Sequence, residues 1–258
     1  MGIVKEDIKE LLLMKNYPKE LFYEGNLDLL KRKKISIVGS RTPLGYSRTL
    51  VQKISSTLSS MGICLVSGGA IGIDAIVHKS AKPSNTIAVL PCGIDVRYPA
   101  INKNLLNDIA KEGLLLSQFK EGTLAAPWSF VLRNEIVVAL GDVLIIGEAD
   151  IDSGSMRSAE FALKMGKEIF VLPHRIDESK GTNELLKKGF AKPIYDIDEF
   201  ASMFGEIKKE PKIVDEFLEF CKTNPTYEEA MAKYASRVFE SELSGDIIVK
   251  NGRVIILA

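Results

Sequence analysis

Between Lys34 and roughly Phe204, short runs of consecutive apolar and β-branched residues alternate with stretches of helical periodicity, and that rhythm leaves few folds open. Strands that are apolar at every position need cover on both faces, which stacked βαβ units supply. The expected strands are Ile35–Val38, Ile63–Val66, Thr86–Leu90, Leu114–Ser117, Val143–Ile146 and Ile169–Leu172, with a weaker one near Pro193–Tyr195. This pattern predicts an α/β fold, a Rossmann-like doubly wound and mostly parallel sheet, spanning residues 31–205.

The flanks read differently. Residues 1–30 read as a short helical N-terminal extension, too brief for a core of its own. A charged stretch, Glu206 to Glu210, ends at Pro211 and marks a linker, so residues 206–258 form a second unit. That unit reads as helices over 212–222, 227–234 and 237–243, then strands Ile247–Lys250 and Val254–Leu257 joined at Asn251-Gly252. Asn-Gly is the signal of a type I′ hairpin, and three helices with a hairpin suggest a small winged-helix-like domain. Its third helix, Arg237 to Leu243, carries two glutamates and one arginine. Phosphate is repelled by that balance, which points to a protein-contact or accessory role.

Charge and cysteine usage narrow the class. Lysine and arginine total 34, as do aspartate and glutamate, so any nucleic-acid site must be a local patch. Cys64, Cys92 and Cys221 are far apart and form no Cys-x-x-Cys pair, which argues against a disulfide framework and a zinc site and fits a reducing cytoplasm. Met1 to Lys15 mixes charges with apolar residues and does not read as a signal peptide. The longest apolar stretch, Ile136 to Ile146, is broken at Gly141-Asp142 and is too short to span a bilayer, so no membrane association is expected.

The candidate chemistry lies in loops that follow strands. In an open α/β sheet, ligands bind beyond the carboxyl ends of the strands, where loop amides and helix N-termini converge on an anion. The first strand runs into Gly39-Ser40-Arg41. A dinucleotide fingerprint requires glycine at the positions of Arg41 and Leu44, so a nicotinamide cofactor is disfavoured, no cofactor is expected, and a guanidinium stands at the phosphate position. The second loop, Ser67-Gly68-Gly69-Ala70-Ile71-Gly72, has glycines that suit an anion nest, with tight strand-to-helix packing as the plain alternative. Asp74 caps or orients that loop, because a carboxylate beside phosphate repels it.

Two later segments add to the site. In Pro127 to Asn134, Phe130 or Trp128 offers a face on which a base stacks, at about 1–3 kcal/mol each, and Arg133 supplies phosphate pairing and a cation–π contact. Phe130 is preferred for its closeness to Arg133. Ser153-Gly154-Ser155 reads as a helix-opening turn whose hydroxyls and amides suit phosphate, with simple capping by Ser153 as the alternative. The run Lys31 to Lys34 reads as a solvated charge run, and His78 and His174 lack the neighbours that catalysis needs.

Taken together, Ile37-Val38-Gly39-Ser40-Arg41, Ser67 to Ala75 with His78, Gly93-Ile94-Asp95 with Tyr98-Pro99 and Asn102, Arg133-Asn134, Ser153 to Met156 and Gly181 to Leu186 resemble the DprA/Smf family. The resemblance covers about Ile35 to Ala191. It implies single-stranded DNA binding without catalysis, protection of incoming DNA, self-association as a homodimer, and delivery of the RecA recombinase in natural transformation. The site residues it implies are Gly39, Ser40, Arg41, Ser67, Gly68, Gly69, Gly72, Phe130, Arg133, Asn134, Ser153, Gly154 and Ser155. The chain departs from the family at Ile71, usually an arginine, and in Leu132-Arg133-Asn134-Glu135, where the family's basic run is reduced. An alternative is a nucleotide hydrolase of the related phosphoribohydrolase type. It is weakened by the missing glycine-rich segment around the nearest carboxylates, Glu148 and Asp95.

Overall fold

A computed structural model describes residues 1–206, 215–244 and 246–256. The chain divides into two compact units, Met1–Lys208 and Lys209–Ala258.

The first unit is built on one nine-stranded sheet. Its strands are β1 (Gly2–Ile3), β2 (Phe22–Gly25), β3 (Lys34–Val38), β4 (Cys64–Ser67), β5 (Thr86–Val89), β6 (Leu114–Ser117), β7 (Leu144–Ile146), β8 (Ile169–Val171) and β9 (Lys192–Pro193). They lie in the order β1-β2-β6-β5-β4-β3-β7-β8-β9. Every pair from β6 through β9 is parallel, as the all-apolar strands require, and each βα crossover supplies a covering helix. The helices are α1 (Gly45–Ser60), α2 (Ile73–Ser80), α3 (Lys103–Glu112), α4 (Pro127–Leu140), α5 (Gly154–Lys164), α6 (Lys180–Lys187) and α7 (Ile197–Ser202).

One apolar cluster joins Val66, Val89 and Ile146 to α4 and α5, and another joins Ile35, Ile37 and Leu65 to α1 and α2. The sheet is thus buried on both faces. From β3 the chain builds outward through β4, β5 and β6, then returns to lay β7, β8 and β9 on the other side of β3. The strand order therefore reverses between β3 and β7, and a crevice opens beyond the carboxyl ends of strands at such a reversal.

The N-terminal extension is not purely helical. Residues 9–13 and 27–31 form 3₁₀ helices, but Phe22–Gly25 pairs antiparallel with β6, and Gly2–Ile3 pairs with β2. Without β2, the backbone of β6 would present an unpaired edge. Four residues give a periodicity rule too little to act on, which is why the strand escaped notice.

The Lys31 to Lys34 run is solvent-exposed at Lys31, Arg32 and Lys33, as expected, but not at Lys34. Lys34 is buried and pairs with Glu10 at 2.5 Å, Arg32 bonds Asn85 Oδ1 at 2.5 Å, and Lys33 donates to the Phe204 carbonyl at 3.0 Å. No helix among the described residues is long and apolar enough to cross a membrane.

The second unit contains α8 (Glu216–Cys221), α9 (Tyr227–Ser244), β10 (Ile247–Lys250) and β11 (Arg253–Ile256). Asp215 caps α8, and α9 is interrupted at Tyr234, whose backbone leaves the helical region, so the two expected helices are separated by that kink. Asn251 and Gly252 both have positive φ, 54° and 71°, as the hairpin requires. Phe217, Cys221, Ala230, Val238, Ile247 and Val254 form its core. Arg237 is engaged with Asp215 and lies over Phe217. The first three residues of the helix expected over 212–222, the expected linker after Glu206 and the strand residue Leu257 fall outside the described residues.

Candidate nucleic-acid interface

At the reversal between β3 and β7, the loop after β3 and the loop after β7 face each other across a cavity of about 250 Å³. The β3 loop contributes Gly39, Ser40 and Arg41, the opening of α5 contributes Ser153, Gly154 and Ser155, and α4 adds Phe130, Arg133 and Asn134. Nine of the sequence-derived site residues therefore converge on one place.

Arg41 is exposed, and its guanidinium carbon lies 5.0 Å from the centre of the Phe130 ring. No ion pair ties Arg41 to a carboxylate among the described residues. The Phe130 ring is further set by an edge-to-face contact with Tyr98 at 5.9 Å. Trp128, the other aromatic considered, is 57% exposed, packs against Phe119 and does not line the cavity. A helix projects one face into a crevice, and two residues of offset separate these two rings by more than half a turn.

Arg133 sits differently from the expectation. It is 4% exposed, its Nη1 lies 3.6 Å from Asp74 Oδ2 and 3.4 Å from the Val89 carbonyl, and its Nε has no partner among the described residues. Burial pulls its pKa below the usual arginine value, with the Asp74 charge acting the other way. Arg133 supports Phe130 from beneath, at 5.9 Å from the ring, and is not poised as a surface phosphate contact.

The glycine loop also proves to be packing. A Cβ on Gly68 would fall 1.1 Å from Arg133 Nη1, and one on Gly72, whose φ is +78°, would fall 2.3 Å from the Ser40 carbonyl. Those glycines let the buried guanidinium and the β3 loop pass close to the backbone. Ser67 is wholly buried with its hydroxyl on the Ile37 carbonyl at 2.7 Å, and the Gly69 carbonyl is held by Asn102 at 3.0 Å. Ser67, Gly69 and Gly72 therefore do not line the cavity, while Gly68 borders a smaller recess beside it. Asp74 orients the loop, as expected, by accepting from the Ala70 amide at 3.3 Å.

The N-terminus of α1 is occupied from within. Glu148 accepts from the Leu44 amide at 2.9 Å and from the Ser47 hydroxyl at 2.6 Å, so a carboxylate of the chain already balances that helix end. An incoming phosphate is thereby excluded there, against the expectation that this helix end would bind one. A Glu148→Gln chain should lose about 1–2 kcal/mol in a urea titration, because a charged acceptor on a helix N-terminus becomes neutral. An unchanged midpoint would remove Glu148 from this role.

Glu148 and Asp95 are also the carboxylates considered for hydrolysis. Asp95 accepts from the Gly122 amide at 3.0 Å. His174 Nε2 lies 2.9 Å from Ser47, but its Nδ1 faces the Leu172 carbonyl at 2.8 Å, and the carboxylate touches the serine instead of the imidazole. A serine–histidine–acid relay needs the opposite wiring.

Two lining residues had escaped notice: Asp150 and Ser158. Ser158 lies four residues beyond Gly154, so helical spacing would have found it once α5 was oriented. Asn134 ties α4 to the opening of α5, its amide donating to the Gly154 carbonyl at 3.3 Å. Of the two family departures, Ile71 borders the recess, but Glu135 is buried and accepts from the Lys15 amide at 3.1 Å, away from the cavity.

The family described as DNA recombination-mediator protein A matches residues 5–205. The chain belongs to that family. Among its relatives, the DNA processing protein DprA of Streptococcus pneumoniae is 38% identical over 176 residues, covering 67% of this chain and 62% of the relative. Protein Smf of Escherichia coli is 34% identical over 185 residues, covering 70% of this chain and 50% of the relative. Across the curated relatives, the matched part is between 45% and 63% of their own length. The solved DNA processing protein A of Helicobacter pylori, described for its single-stranded DNA binding mode, superposes with a TM-score of 0.77 at 40% identity, over 79% of this chain and 94% of that one. The S. pneumoniae DprA structure gives a TM-score of 0.72 at 33% identity, over 78% and 72%. These family members share the α/β architecture that carries the cavity.

Proposed function

We propose that this chain binds single-stranded DNA in the cavity at the β3–β7 reversal, without chemistry, and protects incoming strands in the cytoplasm until a RecA-type recombinase is loaded on them. The observation that carries the reading is Arg41, a guanidinium with no carboxylate partner among the described residues and set over the Phe130 ring at the cavity. An aromatic face with an adjacent guanidinium suits a strand whose bases are unpaired, since a duplex keeps its base faces stacked away. The single-stranded DNA bound by the H. pylori relative supports the same reading. The recombination-mediator description of the family supports transfer to a recombinase.

Self-association as a homodimer belongs to this proposal, as does an accessory role for a winged-helix-like second unit, suggested by its order of helices and hairpin. A light-scattering mass of one subunit at micromolar concentration would remove the dimer.

Fluorescently labelled oligonucleotides, single-stranded and duplex, titrated at two salt concentrations test the site. The expected result is a preference for the single strand, a loss of about tenfold in Arg41→Ala, and a salt slope shallower by about 0.7 for the one phosphate contact removed. Equal binding by Arg41→Ala would defeat the assignment, and release of free base from nucleoside monophosphates would then be assayed.

A further inference from the structure

We propose that the outer face of α4, together with the 3₁₀ helix Lys9–Leu13, is a docking surface for an anionic lipid bilayer, on which the chain lies without spanning it. The proposal is independent of the strand-binding reading, and it departs from the sequence-based expectation of no membrane association.

On α4, Trp128, Val131 and Leu132 stand at the i, i+3, i+4 spacing of a single helical stripe, and all three face solvent. Glu135 continues that stripe and accepts from the Lys15 amide at 3.1 Å, so the segment that follows the 3₁₀ helix meets α4 there. Leu12 and Leu13 precede this contact by three and two residues. Leu11 before them is buried in the cluster that holds Ile136 and Leu140 of α4, which leaves Leu12 and Leu13 outside. At the other end, Phe119 packs on Trp128 with ring centres 5.6 Å apart, and the adjacent Lys120 pairs with Glu20 at 3.9 Å. Residues 12–20 therefore run beside the stripe from Glu135 back to Trp128. The five apolar side chains share that side of the unit, and each is between 42% and 62% exposed.

Clustered exposed apolar surface marks an interaction site, and the charges around it select the occupant. Lys9, Lys15, Lys19 and Lys120 are exposed on the segments that flank the stripe. Against these four lysines stand the exposed carboxylates Glu20 and Glu121, since Glu10 is turned to the buried Lys34. Lys9, Lys15 and Lys19 have no ion-pair partner among the described residues. The centre of the surface is thus uncharged and its cations lie at the edge. A bilayer matches that distribution: aliphatic side chains enter the acyl boundary, an indole ring settles at headgroup depth, and lysines meet anionic headgroups. Phe130, two residues along α4 from Trp128, walls the cavity, so one helix carries both the bilayer contact and an edge of the strand site.

Trp128 is the single tryptophan of the chain, so its emission reports on this face alone. The full chain, without DNA, is titrated with vesicles of phosphatidylcholine and with vesicles in which about one third of the lipid is phosphatidylglycerol. The expected result is co-sedimentation about tenfold stronger with the anionic vesicles, weakened by salt and accompanied by a blue shift of the emission. Lys15→Glu with Lys19→Glu should lower partitioning about tenfold, and Val131→Ser with Leu132→Ser should do the same, both with the melting temperature unchanged. No sedimentation, equal affinity for the two vesicles, sedimentation without a change in emission, or variants that partition as wild type would each overturn the surface. A blue shift that grows with protein concentration in the absence of vesicles would overturn it too, and would give the face to a second copy of the chain.

Discussion

An Arg133→Ala chain should unfold with about 3–5 kcal/mol less stability than wild type, the loss expected when one member of a buried ion pair is deleted. Arg133 and Asp74 are both nearly inaccessible to water, at 4% and 7% exposure. Alanine leaves the Asp74 carboxylate with the Ala70 amide as its hydrogen-bond partner among the described residues and empties space beside Phe130. The comparison that separates charge from volume is a double variant, Asp74→Asn with Arg133→Met. It should recover much of the loss, since replacing a buried pair by neutral groups of similar size is often close to neutral. Denaturant midpoints with unchanged slopes would read both. A loss below about 1 kcal/mol in Arg133→Ala would show that the pair does not hold the loop.

Acid should destabilise the first unit through His78 well before the carboxylates titrate. His78 is buried, its Nδ1 lies 2.7 Å from the Thr86 hydroxyl, and its Nε2 has no partner among the described residues. Burial, reinforced by the Arg133 charge, pushes its pKa from 6.5 down to about 3. The folded chain therefore keeps the imidazole neutral where the unfolded chain protonates it. The stability that this contributes is complete above about pH 6.5 and is lost as the pH falls toward 3, because the unfolded state binds the additional proton. Between pH 7.5 and 5 the expected loss is about 2 kcal/mol. The measurement is the difference in pH dependence between wild type and His78→Gln, which removes the titrating ring. Parallel profiles would show that the ring is hydrated in the folded chain.

The parallel sheet was legible because its strands are apolar at consecutive positions, so Leu114–Ser117 could be placed to the residue. Strand β2 was not, since Phe22–Gly25 earns its place from β6, a partner about ninety residues away. At the site, sequence position located the loops and Phe130, but it could not tell a glycine that leaves room for a ligand from one that leaves room for the protein. Gly68 and Gly72 are of the second kind, since what approaches them is Arg133 and the Ser40 carbonyl. Nor does sequence reveal that Arg133 turns inward, because burial depends on which face of α4 the sheet covers. Asp150 and Ser158 fell outside any motif and were exposed as lining residues only by the meeting of the β3 and β7 loops.

Glu148 on the N-terminus of α1 bears on how such a chain diverges. To become a dinucleotide enzyme, a descendant would need glycine in place of both Arg41 and Leu44 and would also need to shed Glu148. Losing the carboxylate first strips Ser47 and the helix end of their acceptor with no ligand to replace it. Changing Arg41 first forfeits the free cation while the carboxylate still repels pyrophosphate. Neither intermediate gains the new ligand, so the carboxylate at the helix end and the side chains at Arg41 and Leu44 would have to change together.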